Sequence, residues 1–229
     1  MGREKEKSIS ILFDISHPAH VHFFRPLAQR LMADGVNVHV VGRNKDVTVP
    51  LLEASNLPFE VLEMPQPGKG RFSEASELLR RSGQLRRRIR EHRVRVVLTR
   101  NPSGVLAAVG TNAKSIFDTD DGRGVGLHYW TARPFADVIT SSVHDPEDHG
   151  RGHRRYQALK AQMFLHPRCF APDPHARRRY LEDSEPLTVL RFSAHDASHD
   201  RDVIGMANRA KAQILARLLK HGAVLLSVE

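Results

Sequence analysis

Apolar positions along this chain gather into short continuous runs, separated by stretches in which they recur at helical spacing. Ser8 to Asp14 is one such run, ending in an acidic residue. Beyond the loop Ser16-His17-Pro18-Ala19-His20, the residues Val21, Phe24, Leu27, Ala28 and Leu31 mark one face of a helix reaching Ala33. Gly35 is placed to stop it. The pattern then predicts a strand over Val36 to Val41, a helix over Val47 to Ala54 and a strand over Phe59 to Leu62. After the turn-rich Pro65 to Phe72 come a basic helix, Ser73 to His92, and a strand, Val94 to Leu98. Asn101 opens a small-residue helix that runs to Gly110, and Ser115 to Asp118 and Ala136 to Thr140 read as two more strands. Strands that are apolar throughout, rather than alternating, are covered on both faces. Alternation with helices makes the sheet parallel, and the right-handed crossover rule makes it Rossmann-like α/β.

From His144 to Arg155 the composition turns to Asp, His, Gly and Arg, which predicts an exposed loop or hinge. Pro172 and Pro174 mark a further break. The pattern restarts with a strand at Leu187 to Phe192, a polar loop from Ser193 to Asp202, a helix from about Ile204 to His221 and a strand at Ala223 to Ser227. The expected organisation is therefore a Rossmann-like domain over 1–185, followed over 186–229 by the first β-α-β of a second, incomplete one.

With 40% hydrophobic and 27% charged residues, the 229-residue chain has the composition of a globular protein rather than a disordered one. No run of eighteen apolar residues offers a membrane span, and the charged Met1 to Lys7 does not read as a signal peptide. A single cysteine, Cys169, excludes an internal disulfide and a Cys-rich zinc site and suits a reducing compartment, so the expected location is cytoplasmic. The formal charge of +9 admits nucleic acid, an anionic membrane surface or phosphorylated small molecules as partners without choosing among them.

Ligands of open parallel sheets bind outside the C-terminal strand ends, and three polar sequences fall there. In Asp14 to His22, a histidine at the mouth of the first helix suits general-base work, and the helix start suits an anion. The alternative is that Ser16 and Pro18 merely cap the helix while His17, His20 and His22 are solvated. His20 and His22 are two apart and so on different faces, which disfavours a metal site. In Phe117 to Asp121, Asp118 and Asp120 either raise one another's pKa for acid–base chemistry or form a capping turn. In Arg191 to Asp200, Arg191 near the end of a strand and Asp196, Ser198 and His199 in the polar loop after it stand ready for binding or for solvation. No Gly-x-Ser-x-Gly elbow accompanies them. The arginine-rich helix, Arg80 to Arg95, is either a solvated outer face or a dock for nucleic acid or anionic lipid.

The opening Ile11 to Pro26, with Pro134 to Val138, Phe170 to Pro174 and Leu190 to Asp200, resembles the prokaryotic family domain of unknown function 354 nearly end to end. That family is similar in architecture to GT-B glycosyltransferases and the non-hydrolysing nucleotide-sugar 2-epimerases, in which two Rossmann-like domains face each other across a cleft. The resemblance implies a GT-B-type acceptor-side domain here, with residues 186–229 opening the nucleotide-sugar domain. It implies a nucleotide-sugar donor, a hydroxyl acceptor and an inverting displacement, with no metal or other cofactor. His20 would be the base, Asp118 or Asp120 would orient it or the substrate, and Ser16, His17 and His22 would line the acceptor side. Arg191, Asp196, Ser198 and His199 would face the donor. Lipid-linked-sugar transferases carry paired glycines where Pro18-Ala19 stand here. Because the chain stops before the later donor-binding elements, the expectation is a product inactive alone, to be completed by a longer gene product or a separate chain. A 2-epimerase and a non-catalytic binding protein are the alternative readings.

Overall fold

A computed structural model describes residues 9–63, 71–181, 186–192 and 205–228. The chain divides into two units, Met1–Phe170 and Ala171–Glu229.

The first unit alternates strands and helices as the apolar pattern requires. It comprises β1 (Ser10–Ile15), α1 (Pro18–Ala33), β2 (Asn37–Arg43), α2 (Thr48–Glu53), β3 (Phe59–Leu62), α3 (Arg71–Glu91), β4 (Val96–Thr99) and α4 (Pro102–Ala108). Then come β5 (Lys114–Asp118), α5 (Leu127–Ala132), β6 (Val138–Ser142), β7 (His153–Tyr156) and α6 (Gln162–Leu165). All seven strands form one parallel sheet in the order β3-β2-β1-β4-β5-β6-β7. The order reverses between β1 and β4, which opens a crevice at their C-terminal ends.

Successive β1 residues feed opposite faces, as a pleated strand must. Leu12 joins Val41, Val97, Leu85 and Ile89 under α3 and α4, whereas Phe13 and Ile15 join Val21, Phe24, Ala28 and Leu52 under α1 and α2. Phe13 and Phe24 meet edge to face, with ring centroids 5.5 Å apart. A third cluster, Val105, Phe117, Tyr129, Ala132 and Ile139, fills the space between α4, α5 and the β5–β6 pair.

Helix ends follow their local chemistry. His17 caps α1 by accepting the Ala19 N–H at 3.2 Å, with Pro18 in the first turn. Gly35, at φ 81°, ends the helix in a left-handed turn that returns the Val36 N–H to the Leu31 carbonyl.

The expected exposed loop at His144 to Arg155 holds for much of the segment, with two exceptions: its last three residues enter the sheet in β7, and His149 is 2% exposed. His149 is buried because both ring nitrogens are satisfied, by the Tyr129 hydroxyl and the Asp145 carboxylate, each at 2.8 Å. Hydropathy cannot register a segment that goes inside by pairing its polar groups.

The basic helix is also less of an outer face than its charge suggests. Arg81 is buried, Arg86 donates to the Leu106 and Ala107 carbonyls of α4, and Arg88 pairs with Glu60 and Glu91. Arg80, Arg87, Arg90, Arg93 and Arg95 are exposed.

The second unit carries β8 (Leu187–Phe192), α7 (Asn208–Leu218) and β9 (Ala223–Val228). Its strands pair in parallel, Leu187 opposite Ala223 through Phe192 opposite Val228. Among the described residues no helix is long and apolar enough to cross a membrane.

Candidate functional site at the C-terminal strand ends

The C-terminal ends of β1, β4, β5, β6 and β7 place polar side chains side by side although they lie far apart in sequence. Asp14, the last buried acid of β1, accepts from Arg81 of α3 at 2.5 Å and from the Thr99 hydroxyl of β4 at 2.9 Å. Gly104 in the first turn of α4 is needed here. A Cβ on it would come within 2.6 Å of the Thr99 side chain and 2.9 Å of the Asp14 carboxylate.

Above this pair, Arg100 leaves the end of β4 and runs to the carboxylates at and just beyond the end of β5. Its Nε lies 3.2 Å from Asp118 and its Nη2 bonds Asp120, which also binds Lys160. The guanidinium sits 5.1 Å from the Phe23 ring centroid. Asp118 takes one good hydrogen bond, from the Thr140 hydroxyl of β6 at 2.9 Å. The Arg100 Nε and Asp118 Oδ2 face each other without hydrogen-bond geometry, and the Tyr156 hydroxyl at the end of β7 is likewise buried without a hydrogen bond among the described residues.

Burial raises Asp118 to a pKa of about 6, against the opposing pull of Arg100 and Thr140. Burial pushes Asp120 up too, but Arg100 and Lys160 override it and hold that carboxyl below the usual range. Tyr156 is raised by burial and by the nearby Asp118 charge. Two neighbouring carboxylates are thus driven apart, one toward neutrality and one toward a fixed charge.

His20, in the first turn of α1, is half-buried beside this cluster. Its Nδ1 lies 3.4 Å from the Ser16 N–H and 3.5 Å from the Ser16 hydroxyl, and Asn101 donates to that hydroxyl at 3.3 Å. Burial, then Arg100 and His17, depress His20 well below the ordinary imidazole range, so the ring is neutral. Burial and Lys45 lower His17 as well, and its ring centroid is 5.9 Å from that of His20.

The structure therefore gathers Ser16, His17, His20, Asp118 and Asp120 at one end of the sheet. The two aspartates engage Arg100, Thr140 and Lys160, while the partner that holds His20 is Ser16. His22 turns away, its ring 5.8 Å from Phe164 of α6. Arg191 lies in β8 of the second unit, opposite Ser227, while Asp196, Ser198 and His199 lie outside the described residues. Sequence reasoning missed Arg100, Asn101, Thr140, Tyr156 and Lys160 as site residues. The signal for the first two was present, because Arg100-Asn101 follows an apolar strand as directly as Ser16-His17 does. Among the described residues no three His, Cys, Asp or Glu side chains are grouped to hold a metal ion.

Comparison with solved structures places this sheet among proteins of GT-B type. The chain is similar to UDP-GlcNAc 2-epimerase from Neisseria meningitidis bound to UDP-GlcNAc, with a TM-score of 0.69 at 8% identity, covering 96% of this chain and 66% of that one. Staphylococcus aureus MnaA in complex with UDP matches with a TM-score of 0.66 at 12% identity, over 96% of this chain and 62% of that one. Streptomyces sp. SF2575 glycosyltransferase SsfS6, complexed with thymidine diphosphate, matches with a TM-score of 0.53 at 17% identity, over 96% of this chain and 68% of that one. At such identities the likeness is one of fold. The chain spans 62% and 66% of the length of the MnaA and Neisseria proteins. No family model matches the sequence, and no curated protein matches it.

Proposed function

We propose that this chain belongs to the domain of unknown function 354 family and forms the acceptor-side part of a GT-B-type protein acting on a nucleotide sugar. The reaction is transfer of the sugar to an acceptor hydroxyl. The acceptor oxygen bonds to the anomeric carbon, the bond from that carbon to the diphosphate breaks with its electron pair leaving on the diphosphate, and the hydroxyl proton passes to water. In this reading 1–185 is the acceptor-side domain and 186–229 belongs to the donor side. His20 touches the substrate, Asp118 and Asp120 hold Arg100 and Lys160 beside it, and Ser16 and His17 line the same mouth. Arg191, Asp196, Ser198 and His199 belong to the donor side. The observation that carries the reading is the cationic pair Arg100 and Lys160 beside a neutral, half-buried His20, at the strand ends where an open parallel sheet takes its ligand.

A 2-epimerase is the second reading, favoured by the higher TM-score of the Neisseria epimerase structure than of the glycosyltransferase. Product analysis separates the two. The 229-residue chain is incubated with UDP- and TDP-sugars, with and without heat-treated cell extract as the acceptor source. A new glycoside with free nucleoside diphosphate supports transfer, and a nucleotide sugar inverted at C2 supports epimerisation. Should neither sugar class bind or react, the reading fails and the exposed arginines of α3 become the place to look for a polyanion partner.

A further inference from the structure

The groups that reach His20 Nδ1 are a backbone N–H and a hydroxyl already accepting from another donor, and their sense bears on which ring nitrogen carries the proton. Asn101 caps α4, its Oδ1 accepting from the Ser103 N–H at 3.0 Å and the Ser103 hydroxyl at 2.8 Å. A backbone N–H can only donate, so the amide is fixed with Oδ1 toward Ser103 and Nδ2 toward Ser16. Nδ2 then donates to the Ser16 oxygen at 3.3 Å, which leaves the Ser16 hydroxyl hydrogen available to His20 Nδ1, 3.5 Å away. The Ser16 backbone N–H points at the same nitrogen from 3.4 Å. Two donors thus converge on Nδ1, both long but of the same sense.

From this geometry we infer that His20 is held as the Nε2–H tautomer and acts as a hydrogen-bond donor to a phosphoryl oxygen of the substrate, with Ser16 and Asn101 as its positioning residues. Nε2 has no hydrogen-bond partner among the described residues and is not among the buried unpaired atoms, so it is open to a ligand. Three cations act on the ring, Arg100 after β4, Lys160 before α6 and Arg81 of α3, each of them paired with an aspartate, and His17 at the cap of α1 adds a further basic group. An N–H among such groups suits an anionic oxygen. The start of α1 has little backbone left to offer, since Pro18 has no N–H and the Ala19 and His20 N–H groups are taken by His17. The side chain therefore supplies the contact. A base at this position needs a lone pair at Nε2, and this tautomer does not present one.

The inference rests on the nucleotide-sugar reading only for the identity of its ligand, and the experiment separates the two. In the full chain labelled with 15N-histidine, the free protein should show the His20 Nε2–H form in about tenfold excess, the order expected of one to two hydrogen bonds of preference. Ser16→Ala removes one of the two donors and should lower that excess severalfold. Asn101→Asp turns the amide donor into an acceptor, reverses the Ser16 hydroxyl and should lower it further. Adding UDP should shift the Nε2–H resonance downfield without moving the proton. Inorganic phosphate reproducing the shift where UDP does not would place the phosphoryl group on the acceptor instead. His20→Gln, which keeps an N–H donor and cannot act as a base, should hold UDP affinity within about threefold, against a loss of about tenfold in His20→Ala. A free protein showing the Nδ1–H form, or a shift with neither UDP nor phosphate, overturns the inference. Failure of the product analysis alone would overturn the transfer reading and leave the tautomer standing.

Discussion

Arg81 of α3 donates to Asp14 of β1 at 2.5 Å, with side-chain exposures of 3% and 0%. The two residues stand 67 positions apart, and the pair pins the arginine-rich helix to the strand end that leads into the site. Arg81 Nε and Nη1 have no hydrogen-bond partner among the described residues, so this guanidinium is committed to one acid.

Breaking a buried pair from one side strands a charge in the interior. Asp14→Asn and Arg81→Met should each lower the unfolding free energy by about 3–5 kcal/mol. The double variant should recover a good part of that loss. Urea unfolding of the three variants and the parent chain gives the double-mutant cycle, and strictly additive losses would deny the coupling.

Asp118 makes a signed prediction about pH. An unfolded Asp titrates near 3.9, as a model peptide does, whereas burial raises this one to about 6 in the folded protein. Between those values the folded state holds a proton that the unfolded state has lost, so stability falls as pH rises from about 4 to about 6 and levels off above. The full effect is on the order of 3 kcal/mol. His17 and His20, whose pKa values are depressed, act in the opposite sense and lose stability as pH falls. The difference between the parent and Asp118→Asn, followed as the urea midpoint from pH 4 to 7, isolates the carboxyl. Parallel curves would rule out the raised value.

Tyr129→Phe should cost about 1–3 kcal/mol, because it leaves His149 Nδ1 buried without its partner. Tyr180→Phe is the control. That residue is exposed, and its loss should stay within about 0.5 kcal/mol. Equal effects from the two would mean that the Tyr129–His149–Asp145 line holds nothing in place.

The arginines of α3 should separate into two groups. Arg86→Ala removes donors from the last carbonyls of α4 and should cost about 1–2 kcal/mol. Arg87 pairs with Glu91 at 3.7 Å on the exposed face, and Arg87→Ala should cost no more than about 0.5 kcal/mol. Any binding of the helix to anionic vesicles or nucleic acid should instead weaken, with a shallower salt dependence, when Arg80, Arg87 and Arg90 are neutralised. An unchanged salt slope would assign that binding to another surface.

Much of the frame was legible in the chain. The residues at β3 and β8 have the bounds that their apolar runs predict, and Gly35 ends α1 where the pattern placed it. The strand-end loops carrying His20 and Asp118 were legible for the same reason, since a parallel sheet puts every such loop on one edge. What escaped was burial achieved by polarity. His149 and Arg81 read as solvent-facing, yet His149 closes a hydrogen-bond network and Arg81 finds a buried acid.

The sequence by itself determined the alternation of strands and helices, because exclusion of water from an apolar run is a local property that its own periodicity records. Only the tertiary structure decided which polar groups meet. Arg100 with Asp120, Ser16 with Asn101 and Asp14 with Thr99 lie 20, 85 and 85 positions apart. Each pairing exists because right-handed crossovers bring the ends of β1, β4 and β5 side by side, and hydrogen bonds between groups so placed leave no mark on the local pattern.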